Sequence, residues 1–145
     1  MANIKNRAQR RDVIRKIVRQ DTIRTQRDMA ERLQEAGYDC TQATISRDIA
    51  DMGLLKSEAG YYVLPEDQRL TRMVSELVED INTAGHLVVI STYPGGAASV
   101  AGAIDDVSLE GVLGSVAGDD TIFIAVDTSE RASNLKNMLD GLRRR

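Results

Sequence analysis

The stretch Thr41-Gln-Ala-Thr-Ile-Ser-Arg-Asp-Ile49 has the spacing of a short amphipathic helix. Thr41 is a favourable N-cap, and Ile45 and Ile49 lie on one face before Gly53 ends the pattern. The opposite face carries Ala43, Ser46, Arg47 and Ala50. A helix with small residues around one arginine and one serine fits the major groove of DNA, which is about 12 Å wide. The stretch therefore predicts a recognition helix.

The residues around this stretch predict a winged helix-turn-helix domain over residues 1–65. One helix is predicted by the apolar spacing of Val13, Ile14, Ile17 and Val18. A second begins at the N-cap Thr25 and ends at Gly37, only a few residues before the recognition helix. After the recognition helix, residues 54–57 and 61–64 flank a short turn and predict a β-hairpin. Three helices followed by a hairpin form a winged helix-turn-helix.

The second half of the chain predicts an α+β domain with a mostly antiparallel sheet. The apolar residues Leu70, Met73, Val74, Leu77, Val78 and Ile81 predict one amphipathic helix that ends near Gly85. Strands are predicted at residues 87–93, 112–117 and 121–126, and further helices at about 97–106 and 129–142, so the expected order is α-β-α-β-β-α. We expect residues 66–72 to be a polar linker and residues 73–145 to form the second domain.

Composition excludes several classes of protein. The 145 residues suffice for one ordinary domain or two small ones, and a hydrophobic share of 42% is typical of globular proteins. A single cysteine and a single histidine exclude a disulfide framework and a Cys/His zinc site. No apolar run approaches the roughly 20 residues that span a bilayer, and the N-terminus lacks the apolar core of a signal peptide. We therefore expect a cytoplasmic protein that does not associate with membranes.

Charge is divided unevenly along the chain. Residues 1–72 carry 14 basic and 11 acidic residues, whereas residues 73–145 carry 5 and 11. This asymmetry favours a first domain that binds a polyanion and a second domain with another role, although a basic helix face that is merely solvated would look the same. An aromatic share of 3% disfavours stacking on single strands, so the expected partner is double-stranded DNA. The guanidinium of Arg47 can donate two hydrogen bonds to O6 and N7 of guanine, and Ser46 or Gln42 can reach a base edge or a phosphate.

A second candidate site is the turn Gly118-Asp119-Asp120 between two predicted strands. Two adjacent carboxylates suit a guanidinium group or a divalent metal ion, and Asp105 is a third acid that could join them. The residues alone leave three interpretations of this turn open. The turn is a ligand site, or the three acids form the metal centre of an enzyme, or the acids are a solvated turn of ordinary composition.

The chain resembles the bacterial arginine repressors. The resemblance lies in residues 41–48, in Thr25-Gln26, in Pro94-Gly95, in Asp105 and in the stretch Gly114-Ser-Val-Ala-Gly-Asp-Asp-Thr-Ile-Phe123. It implies a winged helix-turn-helix followed by an α+β domain that binds L-arginine and assembles into trimers and then hexamers. Members of this family repress the genes of arginine biosynthesis, and some activate catabolic genes. No enzymatic step and no cofactor are implied.

The resemblance also implies which residues form the two sites. The candidate DNA-binding residues are Thr25, Gln26, Gln42, Thr44, Ser46 and Arg47. The candidate arginine-binding residues are Asp105, Ser115, Ala117, Asp119 and Asp120, with the acid pair holding the guanidinium across the trimer–trimer interface. Ala98 departs from the family, which often has Gln there, and one lost amide contact costs about 0.5–1.5 kcal/mol. This departure leaves a second interpretation open, in which the chain is a regulator of the same architecture that senses another amino acid or acts with a paralogue.

Overall fold

The computed structural model describes residues 6–143, which form two compact units divided between Pro65 and Glu66. The first unit contains α1 (Arg7–Gln20), α2 (Gln26–Glu35), α3 (Gln42–Asp51), β1 (Leu55–Lys56) and β2 (Tyr62–Val63). The predicted helices and hairpin are all present in the predicted order. Each of the three helices begins at a side chain that accepts a hydrogen bond from the backbone three residues on, at Asn6, Thr25 and Thr41.

The core of the first unit is built from the apolar faces of its helices. Its fully buried side chains include Ile14, Ile23, Met29, Leu33, Ile45 and Leu64. The hairpin is antiparallel, with Lys56 opposite Tyr62, and the lysine Nζ lies 4.5 Å from the centroid of the tyrosine ring. Arg24, which precedes α2, donates to the carbonyl of Ala59 at 2.6 Å. The hairpin is therefore anchored to the segment between α1 and α2.

A buried ion cluster joins α1 to α3. Asp48 is 1% exposed, and it accepts hydrogen bonds from Arg10 Nε at 2.5 Å and Nη2 at 3.0 Å. Arg11 Nε donates to the same carboxylate at 3.2 Å, and Arg11 Nη2 donates to Asp51 at 2.8 Å. Burial raises the pKa of Asp48, but the hydrogen bonds and charges of the two arginines outweigh burial. The pKa of Asp48 consequently lies below its ordinary value of 3.8.

The second unit is a layer of helices on an antiparallel sheet. Its elements are α4 (Pro65–Leu77), β3 (Val78–Ala84), β4 (Leu87–Thr92), α5 (Ala97–Asp105), β5 (Val112–Ala117), β6 (Thr121–Val126) and α6 (Ser129–Arg143). The strand order is β3-β4-β6-β5, and every neighbouring pair is antiparallel. This is the expected α+β class. No helix within residues 6–143 has both the length and the apolar character needed to cross a membrane.

Two predictions for the second half were wrong. Residues 66–72, predicted as a linker, lie inside α4, and Leu70 is buried in the core of the second unit. The long predicted helix ends at Leu77, and Val78 and Ile81 belong to β3, so the order is α-β-β-α-β-β-α. A bulge between Val78 and Asp80 adds one residue to β3. Both apolar residues therefore face the core at a spacing of three, which imitates helical periodicity.

The sheet has one covered face and one bare face. The covered face carries Ile81, Val88, Ile90, Ile122 and Ile124, all at most 1% exposed, and packs in one core with buried residues of α4, α5 and α6. On the other face Val89, Phe123 and Val116 lie side by side across three strands. Phe123 is 51% exposed and Val116 is 73% exposed. No element among residues 6–143 covers these two side chains, because both remain open to solvent.

We predict that Asp48→Asn lowers the free energy of unfolding of the first unit by about 2 kcal/mol at pH 7. The loss is smaller than for a fully buried pair, because the released arginines can reach water. Urea unfolding followed by tyrosine fluorescence reports mainly on this unit, which holds three of the four tyrosines. Asp12→Asn is the control, since it removes an acid from an exposed pair with Arg15 and should cost less than about 1 kcal/mol.

The difference between wild type and Asp48→Asn should also depend on pH. A carboxylate with a depressed folded-state pKa stabilises the fold above its unfolded-state pKa, and this contribution disappears as pH falls through the folded-state value. The two proteins should therefore converge in stability as pH falls below 3.8. A difference that stays constant down to that range would show that the charge of Asp48 does not stabilise the unit.

Candidate functional site

The outer face of α3 is the candidate nucleic-acid interface. Ile45 and Ile49 are buried, whereas Ser46 and Arg47 are exposed on other sides of the helix, and Gln42 is exposed at its first position. Within residues 6–143 the guanidinium of Arg47 forms no ion pair or hydrogen bond with another side chain, so its fork remains open to a ligand. The neighbouring Ala43 and Ala50 on this face carry only methyl groups, which lets the helix backbone approach a groove closely.

The other predicted DNA-binding residues hold structural positions as well. Thr25 caps α2 by accepting a hydrogen bond from the backbone N–H of Asp28 at 3.0 Å. The hydroxyl of Thr44 is half-buried and lies 3.0 Å from the hydroxyl of Thr41, the cap of α3. Gln26 is half-buried at the first position of α2. A capping hydroxyl still has its own O–H to donate, so Thr25 can both start the helix and contact a phosphate.

The acidic turn is the first part of the candidate ligand site. Asp119 and Asp120 are exposed between β5 and β6, and their backbone carbonyls fix the turn in place. The carbonyl of Asp119 accepts from the N–H of Ala97 at 3.2 Å, and that of Asp120 accepts from the N–H of Thr92 at 2.8 Å. The backbone of the turn consequently lies beside the N-terminus of α5, where the partial positive charge of the helix favours anions, and the carboxylate of Asp120 accepts a hydrogen bond from the hydroxyl of Thr121 at 3.0 Å.

The start of α5 depends on a glycine. Gly96 is the N-cap of the helix, and a Cβ atom added there would lie 3.1 Å from the carbonyl oxygen of Tyr93 and 3.2 Å from the hydroxyl of Thr92. A larger residue there would require these neighbours to move by a few tenths of an ångström. Ala98 is exposed in the first turn of the same helix.

The second part of the candidate ligand site lies at the opposite end of α5. Asp105 is exposed at the last position of the helix, and its carboxylate accepts a hydrogen bond from Ser115 of β5 at 3.2 Å. Asp105 also lines a hollow of about 230 Å³ together with Ser108 and Leu113. Ala117 is exposed at the end of β5, between this contact and the acidic turn.

The structure thus divides the predicted ligand residues into two groups. One contains Asp105 and Ser115, and the other contains Asp119 and Asp120. Ala97 and Asp105 are eight residues apart in α5, so the two ends of the helix lie about 12 Å apart. One guanidinium cannot contact both groups within a single chain. One metal ion cannot either, since oxygen ligands lie within about 2.6 Å of a cation. Among residues 6–143, moreover, no three His, Cys, Asp or Glu side chains are placed to hold a metal.

Two functional features were absent from the sequence-based predictions. The ion cluster of Asp48 was not predicted, although the sequence contains a signal for it. Asp48 lies three residues after Ile45 on the apolar stripe of α3, a position where an acid requires a buried cation. The second feature is the buried Thr92, whose N–H holds the acidic turn, and nothing in the sequence singles it out.

Comparison with known proteins agrees with this two-unit arrangement. Residues 5–70 match the family described as "Arginine repressor, DNA binding domain", and residues 74–141 match "Arginine repressor, C-terminal domain". A protein named arginine repressor from Carboxydothermus hydrogenoformans is 40% identical, over 90% of this chain and 95% of its own length. A relative of the same name from Thermus thermophilus is 37% identical, over 94% of this chain and 90% of its own length. Another, from Desulfitobacterium hafniense, is 44% identical, over 78% of this chain and 83% of its own length.

Proposed function

Because this chain belongs to the arginine repressor family, we propose that it is an arginine-dependent transcriptional regulator in the cytoplasm. In this proposal the first unit binds operator DNA and represses the genes of arginine biosynthesis, and the second unit binds L-arginine. The chain acts by binding and not as an enzyme. The observation that carries the proposal is the outward face of α3, where Arg47 is exposed and unpaired among the residues described.

The exposed face of α3 supports direct recognition of base pairs. A guanidinium fork can donate two hydrogen bonds to O6 and N7 of one guanine, and this contact distinguishes guanine from the other bases. Ser46, which precedes Arg47, and Gln42, at the first position of α3, can contact a neighbouring base edge or phosphate. The net charge of +3 over residues 1–72 supports attraction to DNA that is independent of sequence.

The acidic turn supports recognition of the guanidinium group of arginine. Asp119 and Asp120 together offer four carboxylate oxygens, which match the paired N–H donors of a guanidinium better than the single ammonium of lysine. We propose that Asp105, Ser115 and Ala117 complete the site from another copy of the chain. The separation of about 12 Å along α5 supports this division, because one chain cannot bring both groups to the same end of one ligand.

The bare face of the sheet supports assembly of the chain into trimers and hexamers. Phe123, the one phenylalanine of the chain, and Val116 are large apolar side chains that are at least half exposed. Covering them with another copy would remove this apolar surface from water. Arginine bound between two trimers would then stabilise the hexamer, since a ligand that binds only the assembled state shifts the equilibrium toward it.

One observation favours the alternative of a different effector. Ala98 offers only a methyl group at the end of α5 that holds the acidic turn, whereas the family often has Gln there. The alternative is therefore a regulator of the same architecture that senses another amino acid or acts with a paralogue. Measurements with citrulline and lysine beside arginine separate these possibilities.

We predict that Arg47→Ala reduces the preference for operator DNA over unrelated DNA by roughly tenfold to a hundredfold. Arg47→Lys keeps the charge but lacks the fork, so it should lose most of the same preference. Both variants should keep the wild-type stability and arginine affinity, because Arg47 contributes nothing to a core. Fluorescence anisotropy with the two DNA duplexes measures the effect. An unchanged operator preference in Arg47→Ala would remove α3 from the recognition surface.

We predict that Asp120→Asn weakens arginine binding by roughly tenfold to a hundredfold, because it removes a charge-assisted hydrogen bond to the guanidinium. Isothermal titration with arginine, citrulline and lysine should show measurable binding of wild type to arginine alone. Glu130→Gln is the control, since it removes one exposed charge from the same unit at the start of α6. Full arginine affinity in Asp120→Asn would mean that the acids form only a solvated turn.

A further inference from the structure

The ion cluster of Asp48 is the most strongly buried group of charges among residues 6–143, and nothing in the proposed function uses it. The carboxylate receives three N–H donors from Arg10 and Arg11, whose side chains are 15% and 20% exposed. Asp48 follows Arg47 directly in α3, and the turn of about 100° between neighbouring helix residues places one side chain in the unit and the other in solvent. A buried acid therefore lies immediately behind the surface that is proposed to contact DNA.

We propose that Asp48 is a specificity-determining positioning residue for DNA recognition. By clamping Arg10 and Arg11 of α1, it fixes the rotation of α3 and keeps two cations from indiscriminate contact with DNA phosphates. The inference rests on the proposed function, because it requires that α3 recognises an operator.

The hydrogen bonds of Asp48 with Arg10 and Arg11 restrict the rotation of α3 about its axis. Apart from Asp48, α3 is held by the pair of Asp51 with Arg11 at its exposed end and by apolar contacts through Ile45 and Ile49, which have no directional preference. The carboxylate of Asp48 lies about 5 Å from the helix axis, so a rotation of 10° displaces it by about 1 Å. Such a shift is enough to break hydrogen bonds of 2.5–3.2 Å. The same rotation displaces the end of the longer Arg47 side chain even further, which would break the pair of hydrogen bonds to guanine.

The same hydrogen bonds also hold the positive charges of Arg10 and Arg11. Arg11 is four residues from both Arg7 and Arg15, so the three arginines share one face of α1 and together line a surface hollow. Asp48 and Asp51 hold the guanidinium of Arg11, and Asp12 holds that of Arg15 at 2.8 Å. Loss of Asp48 would release Arg10 and leave Arg11 held by Asp51 alone, so one or two cations could then bind any phosphate. Such binding raises affinity for all DNA and carries no information about sequence.

The test compares the full-length wild type with Asp48→Asn in the presence of saturating L-arginine. One probe is a duplex that the wild type enriches from a random pool, and the other is a scrambled duplex of the same length and composition. Fluorescence anisotropy over a range of salt concentrations gives both affinities and their salt dependence, referred to the concentration of folded protein. We expect the ratio of the two affinities to fall by about tenfold or more in Asp48→Asn. Binding to the scrambled duplex should be no weaker, with a salt slope steeper by about one to two.

Three further variants separate positioning from charge and from stability. Asp12→Asn releases Arg15 on the same face of α1 without touching α3, so it should raise the affinity for both duplexes and leave their ratio unchanged. Leu33→Ala destabilises the core of the same unit, and per folded molecule it should also keep the ratio. Arg10→Lys keeps the charge but replaces the two-bond fork with one ammonium, so the ratio should fall by about threefold. This milder variant decides the question if Asp48→Asn does not fold.

Two results would overturn the inference. Asp48→Asn and Arg10→Lys with wild-type ratios would show that the cluster does not control specificity. Parallel loss of affinity for both duplexes would show that the cluster only stabilises the fold. Failure of the proposed function has a different signature, because the wild type itself would then enrich no sequence from the pool.

Discussion

The second unit depends on a sheet that is covered on one face only. Three helices pack on the side that carries Ile81, Ile90 and Ile124, and each of these residues is at most 1% exposed. On the other side Phe123 and Val116 face solvent. This asymmetry fixes the positions of both acidic groups, because α5 packs on the covered side and connects them. It also supports our proposal that the unit completes its structure, and its ligand site, by contact with further copies of the chain.

Helix α5 separates the acids by its own length. Asp119 and Asp120 lie beside its first turn, and Asp105 occupies its last position, where Ser115 holds it. In our proposal one guanidinium takes these two groups from two chains, which would couple ligand binding to assembly. In the first unit an ion cluster has the comparable role of holding α3 against α1. In our proposal the second unit shares its ligand with another copy of the chain, and in the first unit the ion cluster orients α3.

Much of this arrangement could be predicted from the sequence. The helices of the first unit were predictable because Thr25 and Thr41 are strong caps and the apolar residues keep strict helical spacing. Strand β3 was not predictable, because its bulge gives Val78 and Ile81 the spacing of a helix. The linker prediction failed because polar residues begin a helix as readily as they fill a loop, and only Leu70 marks the buried face. The separation of Asp105 from the acidic turn depends on tertiary packing, which no local pattern encodes.

We propose that arginine binds between copies of the chain and so controls their assembly. Sedimentation velocity of the full-length protein without ligand, with L-arginine and with L-lysine separates this proposal from assembly that is independent of the ligand. We expect trimers or a mixture of trimers and hexamers without ligand, hexamers with arginine, and no shift with lysine. A monomer under all three conditions, or a hexamer that responds equally to lysine, would show that arginine does not control assembly.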